Sequence, residues 1–267
     1  MAKKTIILLS DLHIGLRAKE SNRTQLIINN ISKSYPKKPV IITGDLTDSA
    51  TLSQFRKTRK FLDGLSKTNP ILSVPGNHDY AWKGNFLRDR GWENWMEYLG
   101  TPLGWGRKEV RWMGKEHEPK GIDGLGVWKD GNCVYFGIDS GDPQDKQISA
   151  RGYISKDLAD ALKESLQKYE GKTRIAFLHH HPFTAGLFTA LSGSKLLLNA
   201  LKNNCELLLF GHEHEYGLWR GTRDIPLIIS SHKSTDAISG DCVVITIIDI
   251  DNAGTDKVNF KHRLEIV

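Results

Sequence analysis

Cysteine is scarce in this chain of 267 residues, and the three present, Cys133, Cys205 and Cys242, lie far apart with no Cys-x-x-Cys spacing. That argues against a disulfide framework or a thiolate zinc site and makes the reducing cytoplasm the expected compartment. Long apolar runs are absent too: nothing approaches the about 20 consecutive apolar residues that span a bilayer, so no membrane partner is expected. The apolar stretch Thr5 to Leu9, after Lys3 and Lys4, is too short for a signal-peptide core and runs straight into Ser10 and Asp11, so it is expected to be a first strand. Internal repeats, low-complexity tracts and linkers are also missing, which favours one domain over residues 1–267. The net charge of +6 and pI of about 9.1 favour an anionic partner. Because Lys and Arg are scattered rather than blocked, nucleic acid is an alternative partner and not the favoured one.

What is present is an alternation of short apolar runs with helical spacing. Thr5 to Ser10, Val40 to Thr43 and Ile71 to Val74 predict buried strands. Between them Leu26, Ile27 and Ile31 mark one helix, with Ser21 or Asn22 as its cap, and Leu52, Phe55, Leu62 and Leu65 mark a second. The pattern resumes with a strand at Val134 to Ile138 and a helix along Leu158, Leu162, Leu166 and Tyr169 capped by Ser155. Strands at Arg174 to Leu178 and Leu207 to Phe210 flank a helix over Ser194 to Lys202. The C-terminal part predicts strands at Leu227 to Ile229, Cys242 to Ile250 and Val258 to Ile266, with a hairpin turn over Asp251 to Lys257. Such βαβ units build a mainly parallel sheet whose strands present their C-terminal ends along one edge, where α/β proteins bind ligands.

Residues 82–131 break this rhythm and are expected to form an insertion over that edge. They hold six of the seven tryptophans, Trp82, Trp92, Trp95, Trp105, Trp112 and Trp128, together with Arg107, Lys108, Arg111 and Lys115. A helix is predicted over Phe86 to Leu99. The tryptophans could stack a base, but filling the insertion's own small core is the favoured role.

Five stretches place metal-ligand residue types directly after predicted strands: Asp11-Leu12-His13, Gly44-Asp45-Leu46-Thr47-Asp48, Gly76-Asn77-His78-Asp79, His179-His180-His181-Pro182 and Gly211-His212-Glu213-His214. Taken singly each is weak, because Asp-x-His arises by chance and a lone histidine is commonly just hydrogen-bonded. Together they supply Asp, His and Asn in the mix that suits Mn, Fe or Zn.

In that order the stretches resemble the calcineurin-like metallophosphoesterase superfamily over residues 11–214, and the histidine run before Pro182 looks like that of bacterial class III cyclic nucleotide phosphodiesterases. The resemblance implies an α/β protein, a four-layer α/β/β/α sandwich with two mixed sheets, and a dinuclear site at the sheet edge. It implies Asp11, His13 and His214 on a first metal, Asn77, His180 and His212 on a second, and Asp45 bridging both. His180 is chosen because it stands two residues before Pro182, with His179 or His181 left open by strand alternation. The expected metals are two divalent ions, Mn2+ first, with an Fe/Mn pair or Zn2+ as alternatives. Asp48 stands where purple acid phosphatases carry tyrosine, so no iron–tyrosinate centre is implied. The implied reaction is in-line attack of a metal-bridging hydroxide on a small phosphodiester, a cyclic nucleotide in the first instance. His78 would donate to the phosphoryl group or the leaving alkoxide, with Asp79 setting its tautomer. Asp48 would steer a ligand histidine or cap the helix that follows it. A single-strand nuclease, a phosphomonoesterase and a non-catalytic scaffold are the alternatives; the sequence leaves the oligomeric state open.

Overall fold

The computed structural model describes residues 3–80, 91–105, 116–119, 124–141, 150–184, 186, 188–255 and 258–267. In chain order these form β1 (Lys4–Leu9), α1 (Ala18–Ser34), β2 (Val40–Ile42), α2 (Leu52–Ser66), β3 (Ile71–Ser73), α3 (Asn77–Tyr80) and α4 (Gly91–Trp95). A π-helical turn at Met96–Gly100 is followed by β4 (Glu116–Pro119), β5 (Leu125–Asp130), β6 (Cys133–Ile138), β7 (Gly152–Tyr153), α5 (Lys156–Lys168) and β8 (Thr173–Phe177). The remainder comprises β9 (Leu191–Ser192), α6 (Ser194–Leu201), β10 (Leu207–Phe210), β11 (Gly217–Thr222), β12 (Ile225–Ser230), β13 (Ala237–Ser239), β14 (Cys242–Asp251) and β15 (Asn259–Ile266).

Two mixed sheets result. In the first, β1, β2 and β3 run parallel, Ile7 opposite Val40 and Val40 opposite Ile71, and β14 joins β1 antiparallel with β15 on its far side. The second sheet has the order β11-β12-β10-β8-β6-β5-β4, parallel from β12 to β6 and antiparallel at both margins. Both parallel cores are apolar on two faces, as strands covered on both sides require.

Side-chain parity along the second sheet sets the layers. Ile175, Phe177, Leu207, Leu209, Leu227 and Ile229 join one buried cluster with Ile7 and Leu9 of the first sheet and with Phe55 and Leu62 of α2. Ala176, Leu178, Leu208, Phe210 and Ile228 turn the other way, against Leu158 and Leu162 of α5 and Leu197 of α6. The order is helices, sheet, sheet, helices. No described helix is long and apolar enough to cross a membrane.

Local signals account for most boundaries. Thr51 caps α2, its side chain accepting from Gln54 N, and Ser155 caps α5, accepting from Leu158 N at 3.1 Å. The cap expected at Ser21 or Asn22 is a departure: α1 begins at Ala18 without a side-chain cap, and Ser21 lies buried inside it. Packing of an apolar face, more than capping, stabilises a helix within a protein, so α1 extends upstream to the loop that follows β1.

The expected insertion is also narrower than residues 82–131. Leu125–Asp130 is β5, paired with β6 inside the second sheet. Of the helix predicted over Phe86 to Leu99, the described part is α4 and the π turn. Trp82, Trp112, Arg107, Lys108, Arg111 and Lys115 lie outside the described residues. Trp95, Trp105 and Trp128 are buried in edge-to-face contact, Trp95 on Trp105 at 5.6 Å and Trp105 on Trp128 at 5.7 Å. They fill core rather than present a stacking surface.

Phe177 sits at the middle of this arrangement, fully buried between the sheets with Trp128 5.9 Å away. Phe177→Ala is expected to cost about 3–5 kcal/mol of stability in a denaturant titration.

Candidate metal centre

Asp11 and His13 follow β1, Asp45 follows β2, Asn77 opens α3 after β3, His179 follows β8, and His212 and His214 follow β10. The backbone there is unusual. Asp11, His13, Asp45, His212 and His214 all have positive φ, between 44° and 79°, a conformation that side chains with a Cβ seldom adopt. Such conformations persist where the surroundings over-determine them and concentrate at functional sites. Here the first two loops are laced together, with Asp11 N donating to Gly44 O at 3.1 Å and His13 N to Asp45 O at 3.0 Å. Glycine is required where backbones meet carboxylates: a Cβ on Gly76 would lie 2.1 Å from Asp45 Oδ1, and one on Gly211 would lie 2.7 Å from Asp11 Oδ2.

Two donor clusters converge on Asp45. In the first, His13 Nε2 and His214 Nε2 approach to 3.3 Å, with Asp11 Oδ1 3.9 Å from the former and 3.3 Å from the latter. In the second, His179 Nε2 lies 2.9 Å from Asn77 Oδ1 and 3.2 Å from His212 Nδ1. Asp45 Oδ2 stands 3.8 Å from His13 Nε2 and 3.4 Å from His179 Nε2, so one carboxylate oxygen faces both. Asp11 with His13 and His214, and Asp11 with Asp45 and His179, each bring their donor atoms within 4.8 Å of one another. Imidazole nitrogens and carboxylate oxygens aimed at one another in a buried space suit cations, and oxygen with imidazole donors suits Mn, Fe or Zn.

The electrostatics agree. Burial pushes the Asp11 carboxyl up, but the hydrogen bond from His214 and the charge of His179 outweigh it and bring it down to about 2. Asp45 is likewise held well below the usual carboxylate range, against burial, chiefly by His179 and His78. Burial lowers His212 to about 3 and His13 to about 4. His179 goes the other way: burial opposes its charge, yet Asp45 raises it to about 9. Without a metal, a proton on His179 supplies the positive charge that the buried carboxylates need.

The structure brings Asp11, His13, Asp45, Asn77, His212 and His214 together, with the buried ring of His180 packed against His179 and His212 and its Nε2 without a hydrogen-bond partner. His180 turns its Nδ1 to Ser140 Oγ at 2.8 Å and packs its ring 4.7 Å from that of His212. His179 faces Asn77 and Asp45 in its place, because it continues the parity of Ile175 and Phe177 toward the space between the sheets. His181 joins an aromatic group with Phe210, at 4.6 Å, and Trp219.

Asp79 also departs from expectation. Its carboxylate accepts from Leu46 N at 3.1 Å, Thr47 N at 2.8 Å, Gly76 N at 3.0 Å and Thr47 Oγ1 at 2.9 Å, while burial and the Asp45 charge push it up to about 6. The His78 tautomer is set instead by the Asp48 carbonyl, to which Nδ1 donates at 2.6 Å. The reason is helical: consecutive residues of α3 point about 100° apart, so His78 and Asp79 cannot share a face. Asp48 does not cap α2; its carboxylate accepts from Ser49 Oγ and lies 3.7 Å from His13 Nδ1. Ser10 escaped the sequence reading, and its hydroxyl donates to Asp11 Oδ2.

A sequence model of the calcineurin-like phosphoesterase family matches residues 4–216. Among curated proteins, the chain is 26% identical over 195 residues to a probable glycerophosphodiester phosphodiesterase, GpdQ, of Arcobacter nitrofigilis. That match takes in 68% of this chain and spans 59% of the relative's length. Among solved structures, a dimetal phosphatase from Danio rerio superposes with a TM-score of 0.66 at 11% identity, covering 99% of this chain and 98% of that one. The calcineurin-like phosphoesterase YfkN from Bacillus subtilis gives a TM-score of 0.53 at 15% identity, covering 98% and 90% of the two chains. At these identities the structural likeness establishes the fold.

The two neighbouring histidines separate experimentally. His179→Ala is expected to lower bound metal, measured by mass spectrometry after Mn(II) loading, whereas His180→Ala should keep its metal and lose thermal stability. Equal metal contents in the two variants would refute the placement.

Proposed function

The chain belongs to the calcineurin-like phosphoesterase family, and from that premise we propose that it is a metal-dependent phosphoester hydrolase, a dinuclear phosphodiesterase acting on a small nucleotide. The observation that carries this reading is Asp45 Oδ2, which faces both donor clusters at 3.8 and 3.4 Å. In this reading Asp11, His13 and His214 hold one divalent ion, Asn77, His179 and His212 hold the other, and Asp45 is shared. When bound, the pair would supply Lewis acidity at the phosphoryl oxygens and a water acidified for in-line attack. Mn2+ is the first choice, with an Fe/Mn pair or Zn2+ as alternatives.

The protein's own groups do the rest. Two cations of charge +2 against two carboxylates leave a surplus of about +2, which draws in an anionic phosphoryl group. Asn77, a neutral donor, preserves that surplus where a third carboxylate would reduce it. His78 is fixed by its backbone N on Asp45 Oδ1 at 2.9 Å and by Nδ1 on the Asp48 carbonyl. To serve as general acid His78 would act as the imidazolium, keeping Nδ1–H on the Asp48 carbonyl and giving the Nε2 proton to the leaving alkoxide, which leaves the neutral Nδ1–H tautomer behind. Asp79 positions the backbone from which His78 and Asp45 hang. A cyclic nucleotide is the first substrate to test; the glycerophosphodiester activity named for the Arcobacter relative is the second. The cytoplasm is the proposed compartment, on the sparse cysteine.

The test is to strip the protein of metal, reload it with Mn(II) and assay cyclic nucleotides, glycerophosphodiesters, a chromogenic mono- and diester pair, and single-stranded DNA. Turnover of diesters ahead of the monoester and DNA is expected, and no turnover of any of them would refute the reading. His78→Ala should keep its metal while kcat falls about 10²- to 10⁴-fold. Metal binding should also be pH-dependent. With His179 raised to about 9, the metal-free protein holds a proton there at pH 7 that the metal must displace. The apparent Mn(II) affinity should therefore rise from pH 7 towards pH 9 and level off above it, with protons released into weak buffer on titration at pH 7. Affinity that does not change across that window would remove His179 from the ligand set.

A further inference from the structure

Alternation along β6 sorts the residues that follow it. Cys133 and Tyr135 join the cluster between the sheets, whereas Val134, Phe136 and Ile138 pack the other way, against α5. Gly137 is opposite Phe177 of β8, so two residues on Asp139 is level with His179 on the inward parity, and Ser140 is level with His180 on the outward one. The contacts agree. Ser140 Oγ lies 2.8 Å from His180 Nδ1 and accepts from His180 N at 3.2 Å, while Asp139 meets a group from the first sheet.

That group is Tyr80, the last residue of α3, whose hydroxyl donates to Asp139 Oδ2. Gly141 N occupies the other carboxylate oxygen, donating to Oδ1 at 2.9 Å. The tyrosine ring is fixed as well. Trp92 stacks on it at 5.7 Å with the planes 11° apart, and a Cβ on Gly141 would strike it, so only glycine leaves it room. Burial pushes the Asp139 carboxyl up to about 6, against the pull of both donors. A carboxylate so enclosed relies on the Tyr80 hydroxyl, which no apolar group could replace.

The same short helix opens with Asn77, whose Oδ1 approaches His179 Nε2 at 2.9 Å across the seam between the sheets. These two donors belong to different sheets, so strand pairing within either sheet does not fix their separation. His179 is tied to the first sheet, its Nδ1 donating to Thr43 O at 2.8 Å. The Tyr80 bond is the reciprocal tie, from the helix that bears the asparagine to the strand end beside the histidine. We propose that Tyr80 is a positioning residue, its bond to Asp139 clasping the two sheets so that Asn77 and His179 stand at the spacing that one divalent ion requires. This rests on the dinuclear reading above.

The full chain, stripped of metal and titrated with Mn(II) by calorimetry, provides the test, with EPR separating a coupled Mn(II) pair from a lone ion. Asn77→Ala identifies the binding step that belongs to the second cluster. Tyr80→Phe and Asp139→Ala should each weaken that same step about tenfold and leave the other within about twofold. The double variant should be no weaker than either single one, because both remove the same bond. Asp139→Asn should stay within about threefold of the wild type: its oxygen can still accept from Gly141 N, and its amide can donate to the Tyr80 hydroxyl, which turns to accept. Unchanged affinity at that step in Tyr80→Phe would overturn the proposal. So would an equal loss at both steps, the mark of a general loss of stability, or losses that multiply in the double variant. A wild type that binds a single Mn(II) would refute the dinuclear reading and the proposal together, whereas two ions held alike by wild type and Tyr80→Phe would remove only the clasp.

Discussion

The structure depends on one electrostatic constraint: two carboxylates, Asp11 and Asp45, are buried within a few ångströms of each other at the edge where two sheets meet. Neither could remain ionised there without positive charge, and the imidazoles on every side, with His179 protonated in the absence of metal, are the response of the fold. The loops take left-handed backbone conformations to aim these groups, and the hydrogen bonds between loops hold them in place. The arrangement is stable in proportion to the countercharge it receives, which is what suits these groups to hold metal cations.

Much of this was legible in the sequence. Short apolar runs each ending in Asp, Asn or His placed the candidate residues on one sheet edge, because parallel strands can end together only there. The motifs from Asp11 to His214 carried the family resemblance, and residues 4–216 match the family. Thr51 shows the limit of local signals: it caps α2, one of the two roles expected of Asp48, since a cap is decided by where the helix begins.

What the sequence could not show was phase. Ile175 to Leu178 are apolar throughout because both faces of β8 are covered, so alternation alone cannot say which of His179 and His180 turns toward the first sheet. Counting back from Pro182 chose His180; the register of β8 against β10, with Ile175 opposite Leu207 and Phe177 opposite Leu209, places His179 there. Asp79 was misjudged for a related reason, its neighbour in sequence being on another face of a helical turn.

The clustering also bears on mechanical behaviour. Asp11, His13, Asp45 and Asn77 come from the first sheet, whereas His179, His212 and His214 come from the second. Each donor cluster therefore straddles the seam between the sheets, and an ion in either would act as a rivet across it. His78 and Asp45, by contrast, both belong to the first sheet and share the backbone knot around Asp79. If the seam breathes, the distance between the His78 imidazole and the Asp45 carboxylate is insulated from that motion, while the spacing within each donor cluster is not. Loading the site would stiffen the whole sandwich from one edge, so the protein's rigidity and its readiness to react would come from the same ions.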